Sequence, residues 1–324
     1  MDLENQELLD ILKKLDKKYT DTGQDLTSYL EGLYHAKYLN YWDYIAQETL
    51  LSLQRPRTNF PDEKVFIMYH QITELYFKLT LHELKQLRSK EDIDGKYFLS
   101  KVGRVNRYFE ALTSSFGVMV DGMEREQFLT FRLTLQPASG FQSSQYRLIE
   151  IMSTNFLNLV SKDHRANFKT DSSIKDMFEY IYWKEGANHT LTGKKAFTMV
   201  QFEEKYNSDF LKMAKESRGN NIWDIYKSLP EEDQQNQEII EEMKWYDVHV
   251  NVNWPLAHYR SAVKYLIAEP HAIAATGGTN WRKYLPPRFQ KRIFYPELWS
   301  DQEKEDWGKG WVDSVVNEHT AKND

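Results

Sequence analysis

Two histidines and one arginine are the residues of this chain whose types and surroundings best suit chemistry. His70 lies in VFIMYHQITELYFK, four residues after Phe66 and on the same helix face, with Phe77 and Leu81 extending the stripe. A histidine so placed is either a satisfied core side chain or an acid–base group facing a ligand. His258 lies in NVNWPLAHYRSAVKYLIA, among Trp254, Leu256, Ala262, Val263 and Leu266. A neutral imidazole in such company can bind a haem iron on its proximal side, or can simply be buried and hydrogen-bonded. Arg132 stands in FLTFRLTLQPASGFQSSQYR beside Phe128, Phe131 and Leu135. Its planar donor fork suits a carboxylate. Ser139-Gly140 can turn the chain tightly, with Ser139 as a cap, and the amides and hydroxyls of Gln142 to Gln145 follow. Arg147 and Glu150, three apart on the next helix, read as a structural pair.

The other signals are weaker. His35, His164, His189 and His319 sit in polar or terminal contexts and read as surface residues. His82 lies in HELKQL, and no second histidine follows at the spacing of the HExxH zinc motif. His271 follows Pro270 in a loop. The loop AIAATGGTNW carries the glycine pair Gly277-Gly278 between two threonines. It could bring backbone N–H groups to an anion, but it lacks the spacing of a P-loop or a dinucleotide fingerprint.

Composition narrows the classes. There is no cysteine, which excludes disulfides, thiolate nucleophiles, zinc ribbons and iron–sulfur clusters. The formal net charge is −6 and no basic block suggests nucleic acid. Aromatic residues make up 14%, the level expected of aromatic-rich packing or a flat apolar pocket. The N-terminus MDLENQELLDILKK lacks a signal peptide's basic start and apolar run, and no segment approaches the ~18–20 apolar residues of a membrane span. A cytoplasmic protein with no membrane association is expected.

The elements that must position these residues are helical. Leu3, Leu8, Leu9, Ile11, Leu12 and Leu15 give an amphipathic opening helix. Helices are expected over about 26–53, 63–88 with Asp62 as N-cap, 97–119, a short piece before Arg132, 142–160, 172–183, 203–216 and 230–267 interrupted at Pro255. Residues 184–195 read as a loop and 224–229 as a short helical turn. No convincing period-two alternation appears. The expectation is a single all-α helical-bundle domain spanning 1–324 with a less regular middle insertion.

Six blocks, in order, carry a resemblance: YWDYIAQETLLSLQ (41–54), FIMYHQITELYFK (66–78), FLTFRLTLQPASGFQSSQYRLIE (128–150), WPLAH (254–258), TGGT (276–279) and FYPELW (294–299). Together they resemble the tryptophan 2,3-dioxygenase family of histidine-ligated haem enzymes, while about 162–244 matches poorly. The resemblance implies haem b held by His258 as proximal ligand, with O2 on the open face and L-tryptophan as substrate. Arg132 would hold the substrate carboxylate, with Thr276 at the carboxylate or ammonium end beside Gly277, and Ser139 would belong to the same wall. His70 would accept the indole N–H, and Phe66, Phe128 and Leu135 would line the ring. Tyr41, Tyr44 and Ile45 match the segment that reaches over from a neighbouring subunit, so residues 1–55 would exchange contacts within a homotetramer. The implied reaction opens the indole C2–C3 bond to give N-formylkynurenine, the entry to tryptophan catabolism by the kynurenine route.

The chain also departs from the family pattern. Its late loop reads AATGGTNW where GTGGSSG is usual, so Ala275 replaces a glycine and Thr279-Asn280 a serine pair. The interval from His258 to that loop is longer than usual and includes Glu269-Pro270-His271. Two alternatives stay open: an oxygenase of another indole or aromatic amino acid, and a haem-binding protein without turnover.

Overall fold

The computed structural model describes residues 5–135, 142–186, 197–268, 271–272, 287 and 291–308. The all-α expectation holds: the regular elements among the described residues are helices, apart from the two-residue pair Ile267–Ala268 with His271–Ala272 and an isolated bridge from Val160 to Ile181. No helix among them is long and apolar enough to cross a membrane. Two compact units emerge, Met1–Gln54 and Arg55–Asp324.

The first unit holds α1 (Gln6–Thr20), α2 (Leu26–His35), α3 (Tyr41–Tyr44) and α4 (Gln47–Leu51). The single helix expected over 26–53 is thus three pieces. Asp25 caps the first by accepting the Ser28 N–H at 2.8 Å. Ala46, at φ 49°, breaks the chain between α3 and α4, a left-handed backbone that a Cβ disfavours. Tyr19 and Tyr29 stack at 4.3 Å and join α1 to α2. None of the described residues of this unit is buried.

The second unit is built around α5 (Pro61–Ser89) and α6 (Gly95–Ser115). Its core side follows helical periodicity: Tyr69, Thr73, Phe77, Leu81, Leu84 and Leu87 on α5, and Phe98, Val102, Val105, Phe109 and Leu112 on α6. The start of α5 corrects the expected cap. Phe60 holds the N-cap position and Pro61 the first turn, where its missing N–H costs nothing; Asp62 is already inside the helix. Helix α6 stops at Ser115 and continues as α7 (Gly117–Asp121), followed by α8 (Arg125–Phe131) and a 3-10 turn, Arg132–Leu135.

Helix α9 (Ser144–Ser153) is capped by Ser143, whose hydroxyl accepts the Tyr146 N–H at 3.3 Å. It ends earlier than the sequence pattern suggests, giving way to a 3-10 turn at Phe156–Leu159. The region that matched poorly is mostly helical where described: α10 (Ile174–Glu179), α11 (Tyr182–Gly186), α12 (Phe197–Ser217), α13 (Ile222–Ser228) and α14 (Glu231–Gln234). Then α15 (Gln237–Val248) runs through a π-helical turn (His249–Asn253) into α16 (Trp254–Leu266), and α17 (Asp301–Glu305) closes the described chain. Pro255 therefore sits just inside α16, where the irregular turn before it accommodates the absent N–H.

Helix α5 packs on α6 and α9, α6 on α15, and α9 on α12. Phe77 is the meeting point: its ring lies 6.1 Å from Phe109 of α6, 5.3 Å from Tyr146 of α9 and 5.8 Å from Trp254 of α16. The Arg147–Glu150 pair forms as expected, at 2.7 Å and fully buried. Tyr182 and Arg292 complete that cluster, tying α11 and the C-terminal segment to α9.

Candidate active site

His70 and His258 are built alike. Each Nδ1 faces the carbonyl oxygen one turn back, Phe66 O at 2.7 Å for His70 and Trp254 O at 3.1 Å for His258. A carbonyl only accepts, so each Nδ1 carries the proton and each Nε2 is left with its lone pair. Among the described residues neither Nε2 has a hydrogen-bond partner. The helical backbone thus fixes both tautomers and both ring orientations, as outer-shell bonds do for ligating histidines.

Their surroundings keep both rings neutral. Burial pushes His258 down to about 4, with His70 acting in the same direction and the Trp254 carbonyl opposing. The same cause lowers His70, against the Phe66 carbonyl and Glu74. The His70 ring is nonetheless reached by solvent. Phe116 joins the two helices here: its ring lies 5.6 Å from Tyr69, the neighbour of His70 on α5, and 4.7 Å from His258 on α16.

Aromatic rings frame each histidine. On the α16 side, Trp254 meets His258 edge-on at 4.4 Å and Phe116 lies 4.7 Å away. On the α5 side, Phe66 lies 4.1 Å from His70, 5.8 Å from Phe131 and 6.2 Å from Phe128. Tyr265 of α16 packs on Phe128 at 4.6 Å, and its hydroxyl donates to the Val120 and Met123 carbonyls. Leu135 is half-buried at the end of the 3-10 turn.

Arg132 opens that 3-10 turn and is only 3% exposed. Burial lowers its pKa, yet a guanidinium stays charged at neutral pH. The turn carrying this cation follows directly from Phe131, whose ring touches the wall that runs to His70. The segment after it is linked to the same helix, since Gln145 Nε2 donates to the backbone carbonyl and the carboxylate of Glu74 at 2.8 and 2.9 Å.

The structure joins His70, Phe66 and Phe128 in one run of ring contacts between α5 and α8, with Arg132 and Leu135 on the adjoining 3-10 turn and His258 on α16. Ser139, Thr276 and Gly277 lie outside the described residues. Tyr41, Tyr44 and Ile45 lie in the first unit and are exposed, the two tyrosines by 70% and 76%. Of the other histidines, His35 and His82 are exposed and His164 is half-buried against Tyr180. Trp254 reads from sequence as apolar surface around His258 but not as its hydrogen-bond partner, and Phe116 escaped the sequence reading. Trp254 stands four before His258, a spacing that could have revealed its carbonyl as that partner. Phe116 is remote in sequence and had no such signal.

Among the described residues no cluster of three or more histidine, aspartate or glutamate side chains could hold a bare metal ion. A single neutral imidazole with a tethered Nδ1 and an aromatic surround does suit an iron that brings its remaining ligands with it. His258 fits a proximal haem ligand on these grounds.

Comparison with known proteins gives a consistent result. Residues 32–253, more than half of the chain, match the family model described as tryptophan 2,3-dioxygenase. A protein of that name from Anaeromyxobacter sp. (strain K) is 40% identical over 119 residues, covering 36% of this chain and 44% of the relative. Longer alignments reach the proteins of that name from Bradyrhizobium diazoefficiens, 25% identical over 81% of this chain and 91% of the relative, and Caulobacter vibrioides, 27% identical over 82% and 98%. The more similar alignments are thus confined to less than half of the relatives' length. His258 falls just beyond the residues matched by the family model.

Proposed function

The chain belongs to the tryptophan 2,3-dioxygenase family, and from that premise we propose that it inserts both atoms of O2 across the indole C2–C3 bond of L-tryptophan to give N-formylkynurenine. The observation that carries this reading is the pair of neutral imidazoles on two helices, each with Nδ1 tied to a backbone carbonyl, together with an arginine buried in the turn that follows Phe131.

Each side chain has a definite task. Arg132 binds the substrate carboxylate; a desolvated guanidinium gives a strong, directional two-point contact there. Phe66, Phe128 and Leu135 line an apolar slot for the indole ring. His70 accepts the indole N–H at Nε2, which fixes the rotation of the ring and holds its proton in a hydrogen bond. His258 would hold the iron of haem b through its Nε2. When bound, haem supplies the binding and activation of O2. The chain's own contribution is to bind, orient and enclose, so that C2 and C3 are held in place for the reaction.

The accessible His70 imidazole against Phe66 favours an enzyme over a passive haem carrier, since holding haem through His258 gives that second imidazole no task. The exposed aromatic residues of the first unit favour assembly. We place them against neighbouring subunits of a cytoplasmic homotetramer, where Tyr41, Tyr44 and Ile45 complete the pocket.

The test is turnover. The haem-loaded protein is reduced without oxygen, L-tryptophan is added, O2 is admitted and the products are weighed by mass spectrometry. A product heavier by two oxygen atoms is expected. A haem spectrum without tryptophan turnover overturns the substrate assignment.

A further inference from the structure

The first turn of α5 carries two adjacent acids that do different work. Glu63 is completely buried, and it lies three residues before Phe66 and seven before His70, on the same helix face. Its Oε1 accepts the Arg57 N–H at 2.8 Å, and its Oε2 accepts the Thr58 N–H at 2.7 Å and the Thr58 hydroxyl. From the loop so held, the Arg57 guanidinium reaches the Thr134 carbonyl at 3.4 Å. Thr134 belongs to the 3-10 turn that begins with Arg132. Asp62 reinforces the connection. Its carboxylate accepts the Glu124 N–H at 2.6 Å, at the start of α8, and its own N–H donates to Gln127 at 3.3 Å.

Two elements that carry the pocket are thereby fixed to each other, the helix of Phe66 and His70 and the α8 segment of Phe128, Phe131 and Arg132. A fully buried carboxylate with three donors is costly to desolvate, and one hydrogen bond to a shorter side chain would suffice to close a loop. A network that ends on the turn carrying Arg132 accounts for the expense. We propose that Glu63 is a positioning residue for Arg132: through the 57–58 loop it sets where the guanidinium stands relative to the indole wall, and so where the substrate carboxylate can bind. The inference rests on the tryptophan reading above.

The test uses the haem-loaded protein and two probes, L-tryptophan and tryptamine, which lacks the carboxylate. Glu63→Gln keeps the shape but removes the charge and an acceptor. KM for L-tryptophan is expected to rise about tenfold, as for loss of a charge-assisted contact. The Soret band and kcat should change little, and tryptamine binding should be unaltered. The exposed Arg57→Ala, which leaves the buried carboxylate in place, should raise KM in the same selective way by about threefold, and Arg57→Lys should restore part of it. In an Arg132→Ala background, Glu63→Gln should add nothing further.

Equal losses for both probes, or additive effects with Arg132→Ala, overturn the proposal and leave Glu63 a loop anchor. If Glu63→Gln does not fold, the two Arg57 variants decide the matter alone. Absence of tryptophan turnover in the unaltered protein defeats the functional reading instead, so the two failures are distinguishable.

Discussion

The two histidine-bearing regions share a device but differ in construction. On α16 the imidazole of His258 is half-buried between Trp254 and Phe116, so its neighbours are chiefly rings. On α5 the imidazole of His70 is accessible, and the elements around it are secured by polar contacts: Glu63 to the 57–58 loop, Asp62 to α8, and Glu74 to Gln145. The first construction suits a permanent ligand to a resident group, because apolar packing excludes water and disfavours the imidazolium. The second suits a ligand that comes and goes, because an accessible imidazole needs surroundings that hold their shape without being filled.

The largest expected effect breaks the comparison outright. His258→Ala should abolish the Soret band, since no other histidine holds the α16 position; normal haem content in that variant would remove His258 as the ligand. Arg132→Ala should leave haem in place and lower kcat/KM for L-tryptophan by roughly 10²- to 10³-fold, the loss of a buried two-point contact to a carboxylate. Unchanged affinity would take Arg132 out of the site. His70→Ala should cost about tenfold in kcat/KM with haem retained, one neutral hydrogen bond being lost.

The pH dependence of that last pair sharpens the contrast. Because burial lowers the His70 pKa, its acceptor Nε2 persists as the medium is acidified past the ordinary histidine range. The acid limb of kcat/KM should therefore break below 6.5 in the unaltered protein, and this break should be missing in His70→Ala. A limb that is the same in both would show that His70 does not touch the substrate.

A smaller effect separates the carboxylates of the two regions. On α5, burial tends to raise the Glu63 pKa, but the Thr58 and Arg57 hydrogen bonds outweigh it and the net shift is downward. On α15, burial wins for Asp247 and raises it to about 6, although the N–H groups of Phe294, Tyr295 and Trp299 and the Asn251 amide all donate to it. The native state then binds the Asp247 proton more tightly than the unfolded chain, whose aspartates titrate near 3.9. The stability contributed is present below that value and is lost as pH rises through about 6. Asp247→Asn should flatten this part of the stability profile, as read by thermal unfolding between pH 4 and pH 7.

Much of the site was legible in the sequence because helical periodicity is local. The four-residue step from Phe66 to His70 gave both a shared face and, as it turned out, the carbonyl that orients the ring. The Arg147–Glu150 pair followed from the same rule. Boundaries were less legible. The expected helix over 26–53 is broken at Ala46, and the expected cap at Asp62 is displaced by Phe60 and Pro61, because backbone torsions and loop contacts decide ends that apolar spacing does not register. Phe116 beside His258, Arg57 reaching Thr134, and Arg292 in the cluster of Arg147 and Glu150 join residues 142, 77 and 142 positions apart.

The sequence by itself determined the helical class, the face on which His70 stands with Phe66, the apolar setting of His258, and a resemblance carried by ordered motifs. The packing of distant segments was needed to set Phe116 against His258, to bury Arg132, and to let a carboxylate one turn before Phe66 secure the loop beside it. The reason is physical. Periodicity is written into neighbouring residues, whereas protonation and burial depend on desolvation by side chains that folding brings from distant parts of the chain.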